Sequence, residues 1–117
     1  MTIEIELPAK EPKTGIINLK NFIDKASLDG VDETAINNAQ VKQGEMGPGD
    51  MLNSVKVLIE AAHKPLVELI KCLQKYVDNF RTEITIPHKN GNIILKYGRK
   101  MSSEQLNELI TSILKNQ

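Results

Sequence analysis

Two histidines, one cysteine and one glycine-rich loop are the features of this 117-residue chain whose types and spacing could do chemistry. His63 and His88 fall in separate segments, and neither has a second histidine or a cysteine at ligand spacing. A zinc site would need distant carboxylates to complete it. His63 reads as a helix-end residue and His88 as a solvated neighbour of a turn. Cys72 falls inside an apolar helical pattern with no histidine nearby in sequence. Such a thiol packs as a small hydrophobe and is not an activated thiolate. No serine stands in a nucleophile-elbow context, and the acidic residues are scattered over faces expected to be solvated. These residues predict a protein without catalytic groups, metal or cofactor.

The loop Gly44-Glu45-Met46-Gly47-Pro48-Gly49 precedes an apolar run and invites a test as a phosphate cradle. A Walker loop would place Lys and Ser or Thr at the entry to the following helix, where this chain has Asp50-Met51. A carboxylate there competes with phosphate for the same positive helix end. Turn chemistry alone explains the glycines, with Met46 plugging the core. An anion site for a small molecule or nucleotide, built from this loop, is the second reading.

The elements that must position these residues follow from period and punctuation. Ile3, Ile5 and Leu7 alternate with Glu4 and Glu6 as a half-buried strand does, and Pro8 and Pro12 mark a loop, so 1–15 reads as an N-terminal strand and a proline-containing loop. From Ile16, the positions Leu19, Phe22, Ile23 and Ala26 step at helical spacing, with Gly30 as the stop. A second strand is expected over 33–41, with Ala35, Ala39 and Val41 on one face and Ile36 on the other. After the loop at 42–50, capped by Asp50, the stripe Leu52, Val55, Leu58, Ile59 and Ala62 predicts a helix. Leu66, Leu69, Ile70, Leu73, Val77 and Phe80 continue it beyond Pro65. Lys56, Glu60, Lys64 and Glu68 alternate in sign on the opposite, solvated face. Because proline suits a first helical turn, two consecutive helices with a break near His63-Lys64 are expected.

Residues 83–86 and 92–95 flank Asn90-Gly91, the pair favoured in a two-residue type I′ hairpin. Ser102 with Gln105 forms a capping box, and Met101 with Leu106 a hydrophobic staple, ahead of a helix with Leu106, Leu109, Ile110, Ile113 and Leu114 on one face. The sum is a single α+β domain over 1–117, ordered β-α-(β)-α-α-β-β-α. It is expected to be a two-layer sandwich with a mixed sheet of three to four strands covered by helices.

Composition narrows the partners. The chain is 40% apolar and 26% charged, with 15 basic and 15 acidic residues. A net charge of zero argues against bulk nucleic-acid binding and removes the simplest attraction to an anionic membrane. With two Phe, two Tyr and no Trp, aromatics are too few for base stacking. Phe22 and Phe80 fall on faces expected to be buried. Tyr97 beside Lys96, Arg99 and Lys100 reads as a solvated basic loop. The lone cysteine suits a reducing compartment, no apolar run is long enough to span a bilayer, and no secretory signal is visible. A cytoplasmic protein is expected.

The run Gly44-Glu45-Met46-Gly47 before an aliphatic helix and a helix break resembles the bacterial effector-associated constant component family. Leu69, Leu73, Tyr76 and Val77, then Arg81, a strand and a turn ending in Gly91 continue the resemblance over roughly residues 17–114. The family usually has tryptophan where Tyr76 stands, glycines at the break held here by 61–65, and Asp-Gly in place of Asn90-Gly91. The resemblance implies a small non-enzymatic component of bacterial conflict systems. Its implied partner is a death-like adaptor domain or an effector such as a trypsin-like or caspase-like protease, with self-association possible. Gly44, Met46, Gly47, Met51 and Tyr76 are the candidate interaction residues.

Overall fold

The computed structural model describes residues 1–8, 13–38, 53–89 and 91–115. Its elements run β1 (Thr2–Glu6), α1 (Lys13–Ala26), β2 (Val31–Asn38), β3 (Asn53–Ile59), α2 (His63–Phe80), β4 (Glu83–Ile86), β5 (Ile93–Lys96) and α3 (Ser103–Lys115). The fold is α+β, as expected, with its strands in the order β2-β3-β1-β4-β5. The sheet has five strands where three or four were expected, and every pairing is antiparallel where a mixed sheet was expected.

The extra strand comes from the segment expected to be the first half of a long helix. Val55, Val57 and Ile59 recur at every second residue, all are β-branched, and all are buried against the core. The helical stripe needed Leu58 as a core residue, yet Leu58 lies on the other face of β3 and is 41% exposed. Pairing decides the matter: β3 is flanked on one side by β1, with Ile5 opposite Val55, and on the other by β2, with Ile36 opposite Val55. Lys56 and Glu60 therefore leave the expected helical charge row, and Lys56 stands across from Glu4 on the open side of the sheet.

The break before α2 lies where proline placed it. The helix starts at His63, so Pro65 sits in the first turn, where its missing N–H has no intrahelical partner to lose. Its ring packs against Gly30, whose φ of +85° carries the chain from α1 into β2. Gly30 is not the stop of α1: that helix ends earlier, with Ser27 in the left-handed region at φ 48°. In β2, which starts at Val31, Ile36 turns toward the core and Ala35 is exposed, the reverse of the expected faces. A bulge between Val31 and Glu33 resets the alternation.

The β4–β5 hairpin is present, with Ile86 opposite Ile93, so its connection spans 87–92 and is not a two-residue turn. The amide of Gly91 bonds the carbonyl of His88 at 3.1 Å. The start of α3 matches its sequence signature: the Ser102 amide donates to Gln105 Oε1 at 3.0 Å, and the Gln105 amide donates to Ser102 Oγ at 3.2 Å. Met101 and Leu106 both pack against the core.

All three helices contribute to one core on one side of the sheet. Leu19 and Ile23 of α1, Leu66, Leu69, Leu73 and Val77 of α2, and Ile110 of α3 meet Ile5, Val55, Val57 and Ile84 there. The opposite side carries Glu4, Lys56, Leu58, Thr85 and Ile94, and no described helix covers it. No helix among the described residues is long and apolar enough to cross a membrane.

Candidate functional site

Of the candidate interaction residues, Gly44, Met46, Gly47 and Met51 lie outside the described residues, as does the whole loop at 42–50 with its small-molecule or nucleotide alternative. Tyr76 is described, and it is not a surface residue. It is 3% exposed, and its hydroxyl donates to the carbonyl of Gly15 at 3.2 Å, joining α2 to α1. Its ring meets Phe22 edge to face, at a centroid distance of 5.4 Å, and Phe80 at a tilt, at 4.6 Å, and the two phenylalanines also meet edge to face. A tyrosine buried this way satisfies its polar end and serves as packing.

The member of this aromatic group that reaches solvent is Phe80, 52% exposed at the end of α2, where the helical spacing had placed it in the core. The next residue, Arg81, caps the helix in a left-handed conformation with φ 50° and ψ 49°, and its amide bonds the carbonyl of Val77. Glycine is the residue that holds this position without strain. Arginine here instead lays its guanidinium over the ring of Tyr97, 5.9 Å from the centroid. Tyr97 is also 52% exposed. Phe80, Arg81 and Tyr97 thus bring two aromatic rings and an arginine to the surface where α2 ends and β5 has finished.

Beside this cluster, two adjoining hollows of about 440 and 410 Å³ run along α2 and the β5–α3 connection, sharing Gln74, Lys100 and Met101. Gln74 anchors their common wall: its Nε2 donates to Asp78 Oδ1 at 3.1 Å and to the carbonyl of Lys96 at 3.3 Å. Both partners are acceptors, which fixes the orientation of the amide and leaves Gln74 Oε1 buried without a donor. Lys96, Arg99 and Lys100, read from the sequence as a solvated loop, form one side of this trough.

The groups considered for catalysis are apart. His63 Nε2 faces Asn107 Oδ1 at 3.2 Å, linking the start of α2 to α3, while His88 lies in the β4–β5 connection. Cys72 is buried on α2, and burial pushes its thiol above the ordinary range, with nearby Lys75 only partly offsetting this. Among the described residues, no three His, Cys, Asp or Glu side chains gather where they could hold a metal ion.

The sequence signal for the surface cluster was Arg81 following an apolar helix with no glycine to end it. The exposure of Phe80 had no such signal, since its spacing is that of the buried stripe. No family model matches the chain, and neither a curated protein nor a solved structure matches it.

Proposed function

We propose that this chain is a non-catalytic interaction and regulatory component of a bacterial conflict system, scaffolding or controlling an associated effector in the cytoplasm. The partner class follows from the resemblance to the effector-associated constant component family: a trypsin-like or caspase-like protease, or a death-like adaptor domain encoded nearby. The observation that carries an interaction role is the exposed trio Phe80, Arg81 and Tyr97. Aromatic residues and arginine dominate the few positions that supply most of an interface's binding energy. Arg81 keeps a left-handed backbone that glycine would adopt with less strain. Retaining the side chain there is understandable if the guanidinium and the ring beneath it meet a partner.

The test is co-expression with the products of adjacent genes, followed by light scattering of any complex. Arg81→Gly is the informative variant, because it preserves the helix cap while removing the guanidinium. A protease or adaptor neighbour should co-purify with the wild-type chain and fall away from R81G, whose thermal midpoint should be no lower. A complex indifferent to R81G and to Tyr97→Ala, or no complex with any neighbour, would sink the reading.

A further inference from the structure

We infer that the trough between α2 and the β5–α3 connection is a docking groove for an acidic polypeptide segment with apolar anchors. Five cations rim it: Lys71 and Lys75 one turn apart on α2, and Lys96, Arg99 and Lys100 across from them. One carboxylate, Asp78, lines it, and that group is already engaged by Gln74 Nε2 and, at 3.5 Å, by the amide of Gly98. None of the five cations makes an ion pair with a described residue. The whole chain is neutral, with 15 residues of each sign, so five unanswered cations around one trough are a local concentration and not an overall excess. Lys71 and Lys75 also repel one another at a spacing where a carboxylate would have been favourable. Charge of this kind steers and selects an oppositely charged partner.

The floor selects the class of anion. Ile70, Met101 and Leu106 lie between the cations and present an apolar base, with methionine able to adapt to a guest side chain. Single-stranded nucleic acid would want an aromatic platform for its bases, and no aromatic side chain lines either hollow. A segment alternating acidic and aliphatic side chains matches both rim and floor. The inference rests on the interaction role proposed above only in taking the ligand to be a polypeptide, and its site is separate from Arg81.

Fluorescence anisotropy of a labelled peptide alternating Glu with Leu tests it, with a Lys–Leu peptide and a single-stranded oligonucleotide as comparators. The Glu–Leu peptide should bind the wild-type chain, bind more weakly as salt rises, and bind K75E/K100E at least about tenfold more weakly. Both substituted side chains are exposed, so the double variant should keep its circular dichroism spectrum. R81G should bind this peptide as the wild type does, which separates failure of the groove from failure of the effector reading. Equal binding by K75E/K100E would overturn the assignment. So would preference for the oligonucleotide or the Lys–Leu peptide, or peptide binding that tracks self-association of the chain.

Discussion

Gly30 has little freedom to change. A Cβ built there would lie 2.6 Å from Pro65 Cγ, and the backbone stands at φ +85°. The proline is itself held in the first turn of α2, so neither side has an easy escape. Gly30→Ala should lower stability by about 2 kcal/mol or more, read from urea denaturation, since the left-handed backbone alone costs roughly 1–2 kcal/mol. Two carboxylates act in opposite directions with pH. Hydrogen bonds from Lys20 and then Thr34 hold Asp24 below the ordinary aspartate value of 3.8. Its contribution is present above that value and is lost as pH falls through the lowered one, and exposure to solvent keeps it small. Burial, then the charge of Glu4 and a hydrogen bond with it, raises Glu6 above the ordinary 4.5. A raised value favours the protonated folded form, so this contribution is full below 4.5 and is lost as pH rises through the raised one. Glu6→Gln should therefore be more stable than wild type at neutral pH and show no gain in acid, measured as urea midpoints at both. At this scale the sequence was misleading about Tyr76. Its amphipathic side chain suits an interface or a core equally, and only the position of the Gly15 carbonyl decides between them.

Among the elements, β3 is where neighbouring residues test the strand against the helix expected from sequence. Val57 is fully buried and Leu58 is 41% exposed, so the alternation of a strand separates two residues that a helical stripe would treat differently. Val57→Thr should cost about 1–3 kcal/mol by burying a hydroxyl, whereas Leu58→Thr should change stability by less than about 0.5 kcal/mol. A large loss at Leu58 and none at Val57 would restore the helical assignment. Where local chemistry decided the structure, sequence reasoning succeeded: the capping box of Ser102 and Gln105 and the start of α2 near Pro65 needed no distant partner. Where pairing decided it, reasoning failed. Residues 53–59 fit both periods, and only β1 and β2 on either side choose between them. The trough went unrecognised for the same reason. Lys96, Arg99 and Lys100 read only as a basic loop until α2, with Lys71 and Lys75, packed beside the end of β5.

For the molecule as a whole, the sheet consists of two unequal parts joined at a narrow seam. β2, β3 and β1 pair over their lengths, β4 and β5 pair as a hairpin, and the two parts meet where Glu6 stands opposite Thr85. α2 and the core beneath it therefore carry much of the burden of holding the parts together. β1 is also the first element of the chain and the middle strand of the sheet. During synthesis it must wait, unpaired, until β3 emerges, and the seam cannot close until β4 follows. The β2–β3 and β4–β5 hairpins, by contrast, pair segments close in the chain and need little loop closure. A chain lacking residues 1–8 should expose the facing edges of β3 and β4 and aggregate, as unprotected strand edges do. A synthetic peptide of residues 1–8 added during refolding should restore the size of the intact protein in light scattering. A strand that precedes both of its partners in the chain would then leave an open slot in the nascent sheet until β4 has been made.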